Sequence, residues 1–392
     1  MRSLITVVIV AALLAGPASA QVEVQTLAAP DYFSLGDRDT GLPTDLWRGT
    51  SPSIAREIIP QLDGKPITPA ATDLARRILR AGVAGPGEAG RDPDLAAARV
   101  RALLSMGEAH IAWTAVERAP GVSTNGALAA AAAEAALIAG QDDTACRISD
   151  QLSVDRADIY WLRLRAYCEA IAGQRGKAHL TLSLANDRDR DPVYARLMAG
   201  VLGGAAAPDP ASLRNGLEMA MSRRLALDPE PARSTAAPAI ARMLWSELPP
   251  LESEDQVVAH SMIIASLGTT GIIDSLLDEA AAAPSRARPD MVGRILLLEA
   301  MGGALSPEAR ARLTHVDLGK STASPGLLMG LDRAAALGLK GETALLALAI
   351  ALEAGTKGPA ALDRARIVAA LRKVGLDIDA RAIAIEGLAG GR

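Results

Sequence analysis

Apolar positions recur with a helical period over most of this chain, and the breaks between them are as informative as the runs. Between residues 92 and 187 the runs come in pairs. A Gly falls in the first break of each pair, at Gly107, Gly140 and Gly173, and an Ala follows five residues later, at Ala112, Ala145 and Ala178. Both series step by 33 residues. A period of that size is the signature of stacked helical hairpins, in which the Gly breaks the chain between two helices and the small Ala lets them approach closely. The pattern predicts an all-α fold: an α-solenoid of tetratricopeptide-like hairpins, preceded by an irregular N-terminal arm.

Local signals support the individual elements. Asp92-Pro93 starts a helix with Pro at its first position. The stretch Ala127–Ala136 is nearly all Ala and predicts a helix pressed tightly on its neighbours. Asp158 is expected to cap a helix carrying Trp161, Leu162, Leu164 and Tyr167, which stops at Gly173-Gln174. Setting Ala178 at the small position of a tetratricopeptide second helix puts Leu162, Ala166, Leu182 and Ala185 at the other packing positions.

The flanks divide the rest. Residues 21–68 lack sustained periodicity, are broken by five prolines from Pro30 to Pro66, with Pro69 just beyond, and read as an extended arm with one short helix at Ser53–Ile59. A helix is predicted from Pro69 to Ala81, its apolar face running from Asp73-Leu74 to Ile78 and Leu79. Past Asp191-Pro192 the period degenerates. Pro249-Pro250, followed by Glu252, Glu254 and Asp255, marks a boundary between an N-terminal helical region, 69–248, and a C-terminal one, 251–389. Helices are predicted in the latter at 251–267, 270–283, 288–302, 306–314, 324–337, 341–354, 359–373 and 378–389. The last four read as two hairpins turning at Gly338-Leu339 and Gly375-Leu376.

Residues 1–20 add a compartment. A basic start at Arg2, an apolar run from Leu4 to Leu14 and the small residues Ala18-Ser19-Ala20 form the three parts of a secretory signal peptide. The run is short of the roughly 20 residues a spanning helix needs. The expectation is a periplasmic chain of about 370 residues with no integral membrane span.

Export gives the two cysteines a meaning. Cys146 and Cys168 are equidistant from Ala157, inside the polar connector between two helices, so an antiparallel pair brings them together. In an oxidising compartment this predicts a disulfide that stabilises the fold by roughly 3 kcal/mol.

Apolar residues make up 49% of the chain and aromatics 2%, which suits tightly packed helices and leaves little material for sugar-stacking platforms. Net charge is −4, a balance that argues against nucleic acid or an anionic membrane surface as main partner. Three of the few aromatics, Tyr32, Phe33 and Trp47, sit in the arm. They predict either a cap packed back on the helices, the favoured reading, or a peptide-like arm for a partner. Arg163, Arg165, Arg175 and Lys177 form a basic cluster on the third hairpin, read chiefly as a solvated helix face.

Motifs for chemistry are scarce. His110, His179, His260 and His315 are scattered, without a second His or Cys at metal-ligand spacing. There is no Gly-x-Ser-x-Gly elbow and no phosphate-cradling loop, and Gly200–Gly204 reads as a helix stop. Glu299 and Glu353 are the carboxylates a lytic transglycosylase-like acid would require, and both read as exposed helical side chains. Neither a cofactor nor catalysis is expected.

Three stretches, Gly41–Thr50, Tyr160–Cys168 and Leu371–Ala382, resemble a family of exported alphaproteobacterial proteins of unknown function, some of which carry a label relating them to antifreeze glycopeptides. The label does not transfer, because Ala-Ala-Thr occurs once here, at Ala70–Thr72. The functional expectation is an adaptor that recognises another envelope protein through the first helices of successive hairpins, with Arg163, Arg165 and Tyr167 as surface candidates and Trp161 in the core. The alternatives are a peptidoglycan-binding or -processing protein and a structural component of an envelope machine such as a flagellum or pilus.

Overall fold

The computed structural model describes residues 31–204, 210–245 and 253–390. The expected signal peptide, the Pro249-Pro250 boundary and Glu252 lie outside them. Among the described residues every regular element is helical, and an isolated parallel bridge between Asp37 and Ala81 is the nearest approach to a strand. The order is α1 (Pro52–Ile58), α2 (Pro69–Arg80), α3 (Pro93–Ser105), α4 (Ala109–Val116), α5 (Gly126–Ile138), α6 (Asp142–Gln151), α7 (Ile159–Ile171), α8 (Arg175–Arg188), α9 (Pro192–Val201), α10 (Gly216–Arg224) and α11 (Pro238–Leu244). The C-terminal part follows with α12 (Glu254–Gly268), α13 (Gly271–Ala282), α14 (Arg288–Ala300), α15 (Pro307–Leu313), α16 (Pro325–Ala336), α17 (Lys340–Ala354), α18 (Ala361–Lys373) and α19 (Asp377–Ala389).

The periodic glycines have one structural cause. Gly107, Gly140 and Gly173 follow α3, α5 and α7 with φ of 88°, 78° and 76°. That left-handed backbone favours Gly and lets two amides turn back on the last helical carbonyls. After α3, Gly107 N–H donates to Leu104 O at 3.0 Å and Glu108 N–H to Leu103 O at 2.9 Å. The same pair of bonds closes the chain at Gly140, Gly173, Gly203, Gly302, Gly338 and Gly375. The helix after each of the first three turns folds back on the one before it, giving the pairs α3–α4, α5–α6 and α7–α8. Ala112, Ala145 and Ala178, on the returning helices, are fully buried.

The remaining caps vary. Asp92 Oδ1 accepts from Asp94 N–H at 3.0 Å and Leu95 N–H at 3.3 Å, anchoring the start of α3. Asp158 stands at the N-cap position of α7 but its side chain makes no capping bond, a correction to the expected cap.

Cys146 on α6 and Cys168 on α7 form the expected disulfide, their Cα atoms 5.5 Å apart. It joins the second helix of one pair to the first helix of the next.

The N-terminal arm packs back on the helices, as the cap reading of it expects. Trp47 and Leu46 are buried against the start of α17, where Gly341 N–H donates to Leu46 O at 2.8 Å. A Cβ at Gly341 would come 2.5 Å from Trp47 Cε3, so only glycine admits the indole. Lys340 Nζ pairs with Asp45 at 2.7 Å, and Glu342 accepts from Ser51 N–H at 2.7 Å just ahead of α1. Upstream, Phe33 meets Trp47 edge-on at 5.6 Å and lies under the Arg99 guanidinium at 4.8 Å. Arg99, fully buried, donates to Leu79 O at 2.7 Å, Tyr32 O at 2.9 Å and Ala81 O at 3.2 Å, tying the segment to α2 and α3. Burial pulls its pKa down to about 10.

One apolar cluster consequently runs from Tyr32 to Leu388. Helices α1 and α2 pack on α17, and α2 and α12 on α19, so the two helical regions share this core. A second cluster fills the space among α5, α6, α7, α9 and α10. No single helix among the described residues is long and apolar enough to cross a membrane; α12 and α13 together are, but they bend by 116° at their junction.

Candidate functional site

The first helices of the pairs, α3, α5 and α7, together with α9 and α10, enclose a pocket of about 360 Å³. Its walls are Leu104 from α3, Ala130 and Ala131 from α5, Ile159 from α7 and Leu217 from α10. Small side chains on α5 leave the space: the Ala run that lets α5 pack tightly on one face opens a cavity on the other. Pockets of this kind, apolar with a few convergent polar groups, are the usual form of a binding site.

The polar groups are unequal. Arg101 pairs with Asp63 at 3.3 Å. Arg163 pairs with Asp189 at 3.0 Å and lies over the Tyr194 ring at 5.4 Å, while Tyr194 Oη donates to Arg163 O at 2.8 Å. Glu218 is held by Arg214 Nε at 2.9 Å and accepts from Ser212 Oγ at 2.6 Å. Glu134 is the one charged lining residue without an ion pair among the described residues. Its Oε1 accepts the N–H of Gly216, the first residue of α10. A Cβ at Gly216 would come 2.9 Å from Glu134 O, so glycine is what allows α10 so close.

The other oxygen, Glu134 Oε2, is buried beside the Tyr160 hydroxyl, the side chain that bonds to this carboxylate, and neither has a further partner; Arg163 Nε is buried without one. Burial is the main cause that pushes the Glu134 carboxyl up to about 6; the Gly216 N–H opposes it, and neighbouring Glu218 adds to it. Burial also raises Tyr160 well above the usual phenol range, with Glu134 beside it as the second cause. A carboxylate set in an apolar wall beside a buried hydroxyl, with no cation paired to it, is poised to accept a hydrogen bond from a donor that brings apolar surface with it.

The residues expected from sequence fall out as follows. Arg163 lines the pocket, but its charge is spent on Asp189 and Asp191. Arg165 donates to Arg156 O at 2.9 Å and stands outside the pocket. Tyr167 is fully buried and donates to Asp142 at 2.9 Å, so it offers no surface; burial raises its pKa. Tyr32, Phe33 and Trp47 are also buried, Tyr32 donating to Pro120 O at 3.0 Å, and the partner-binding reading for them gives way to a core role. Trp161 is core. Glu299 is exposed, and exposed Glu353 accepts from Ser324 N–H at 2.9 Å at the start of α16. No group of His, Cys, Asp and Glu among the described residues could hold a metal ion. The signal that points to the pocket is Glu134 itself, the only polar side chain in the α5 sequence.

Comparison with protein-family models, curated proteins and solved structures gives no match.

Proposed function

We propose that this chain is an exported α-solenoid, tetratricopeptide-like over residues 92–187, that acts in the periplasm as an adaptor for another envelope protein and has no catalysis of its own. The observation that carries the reading is the pocket lined by first helices of the pairs and by Glu134, a carboxylate without an ion pair among the described residues. Arrays of helix pairs bind along the surface made by successive first helices, and this pocket takes one anchoring side chain of the partner segment. The anchor that fits is a lysine: its aliphatic stem lies on Leu104, Ala131 and Leu217, and its ammonium donates to Glu134 and to the Tyr160 hydroxyl. Resemblance to exported proteins, the signal-peptide pattern and the disulfide between Cys146 and Cys168 support the compartment.

The test is photocrosslinking in cells from a probe at Ala130, with a second probe at exposed Asp143 on α6 as control. One envelope protein crosslinked from Ala130, absent from Asp143 and lost on Glu134→Gln, is the expected result. Removing a charge-assisted bond of this kind weakens binding by roughly tenfold or more. Crosslinks that survive both Glu134→Gln and Leu217→Trp reject the pocket as the contact. Recovery of peptidoglycan fragments in place of a protein rejects the adaptor reading.

A further inference from the structure

A second pocket, of about 390 Å³, opens on the opposite part of the fold between α2, α14, α18 and α19. Its lining is half polar where the first is mostly apolar, and three cations line it: Arg294 on α14, Lys357 in the loop before α18, and Arg364 on α18. None of the three has an ion pair among the described residues. Arg294 Nε and Arg364 Nε are buried without a hydrogen-bond partner. The Arg364 side chain is fixed rather than free, because it lies between two glycines. A Cβ at Gly358 would come 2.4 Å from Arg364 Nη2, and one at Gly387 would come 2.7 Å from its Cδ. Burial draws the Arg364 pKa down, an effect that nearby Glu386 opposes; an arginine at neutral pH stays charged.

The backbone adds to these charges. Thr68-Pro69 at the start of α2, Pro289-Asp290 at the start of α14 and Ala361 at the start of α18 all line this pocket. Helix N-termini carry unpaired N–H groups and a positive partial charge. At α2 the protein supplies its own anion, Glu386, whose Oε2 accepts from Ala70 N–H at 2.8 Å. At α14 and α18 no side chain makes a capping bond. Two carboxylates line the pocket: exposed Asp290, and Glu386, already committed to α2. Neither forms an ion pair with the three cations.

We infer that this pocket is a binding site for a phosphate group, held by Arg294, Lys357 and Arg364 with the N-terminal amides of α18. Three cations that make no ion pair outnumber the two lining carboxylates and leave the pocket net positive, and arginine offers parallel donors to phosphate oxygens. The site is independent of the Glu134 pocket, sharing no residue with it.

The experiment is titration calorimetry of the purified chain with inorganic phosphate, glycerol 3-phosphate and acetate at constant ionic strength. Saturable one-to-one binding of a phosphate probe is expected, with acetate at least tenfold weaker. Tighter binding of glycerol 3-phosphate than of inorganic phosphate assigns the site to a phosphate monoester, and the reverse order assigns it to the free ion. Arg294→Met and Lys357→Ala are each expected to weaken binding by about tenfold. Arg364→Met, packed between the two glycines, is read only alongside an unchanged circular dichroism spectrum. No binding by either phosphate probe overturns the inference, as do acetate binding as tight as phosphate and an affinity unchanged in Arg294→Met and Lys357→Ala.

Discussion

Glu134 is where a single residue gives the molecule a measurable property. The folded chain raises its carboxyl from 4.5 to about 6, chiefly by burial. A group whose folded pKa is raised binds protons more tightly when folded, so its contribution is present below the unfolded pKa and is lost as pH rises through the folded value. Between pH 4.5 and 6.5 the wild-type chain therefore loses about 1.5 kcal/mol that Glu134→Gln does not lose. Urea unfolding of both proteins at the two pH values measures the difference, and parallel pH profiles would contradict it. A bound lysine ammonium favours the ionised form and reverses this drift. None of this was legible in the Ala127–Ala136 run beyond the helix, because an acid in an Ala-rich helix reads as its exposed edge. What the pattern did not contain was α10, which arrives from 82 residues away in sequence to close over Glu134 through Gly216 N–H. Tyr167 was misjudged in the opposite sense, as surface where tertiary contacts bury it, whereas Tyr32, Phe33 and Trp47 are buried in keeping with the cap reading.

At the scale of elements the sequence was most transparent where local chemistry decides. A left-handed glycine is dictated by backbone sterics alone, and its spacing located α3 to α8 before any contact was known. The C-terminal helices were equally readable: the expected span 378–389 is Asp377–Ala389, and 324–337 is Pro325–Ala336. Asp158 was not, since an N-cap residue bonds only if its rotamer reaches back to the N2 or N3 amide, which sequence does not specify. Between these lies the disulfide, legible because Cys146 and Cys168 are equidistant from Ala157 in the connector between α6 and α7. It closes a separation of 22 residues, and the chain-entropy model assigns such a loop about 3 kcal/mol. Cys146→Ser with Cys168→Ser is accordingly expected to lower unfolding free energy by that order in guanidinium titration. The loss should be concentrated in the second apolar cluster, around α5 to α10, because the bond adds nothing to the one that runs from Tyr32 to Leu388.

At the scale of the whole molecule the chain closes on itself, which no periodic reading anticipates, because a period describes neighbours and this contact joins residues some 295 apart. The segment around Trp47 lies on the start of α17, and α1 and α2 complete the same core. The first helices of the chain are thus buttressed by its last, and the Glu134 pocket lies where the two clusters meet, lined by Leu104 and Ala131 of the first and Leu217 and Tyr194 of the second, apart from the three-cation pocket. Trp47→Ala separates the clusters experimentally. Removing a buried indole costs about 3–5 kcal/mol, and the void falls where Gly341 and Leu46 meet. Hydrogen exchange is expected to quicken in α1, α2 and α17 while α7 and α8, which make no contact with that site, keep their protection. Such a division makes the two pockets energetically separable, so that an occupant of one need not stabilise the other. Equal loss of protection in α7 and α17 would mean instead that the molecule opens as one unit, and that phosphate bound between α14 and α18 strengthens the Glu134 pocket through the shared fold.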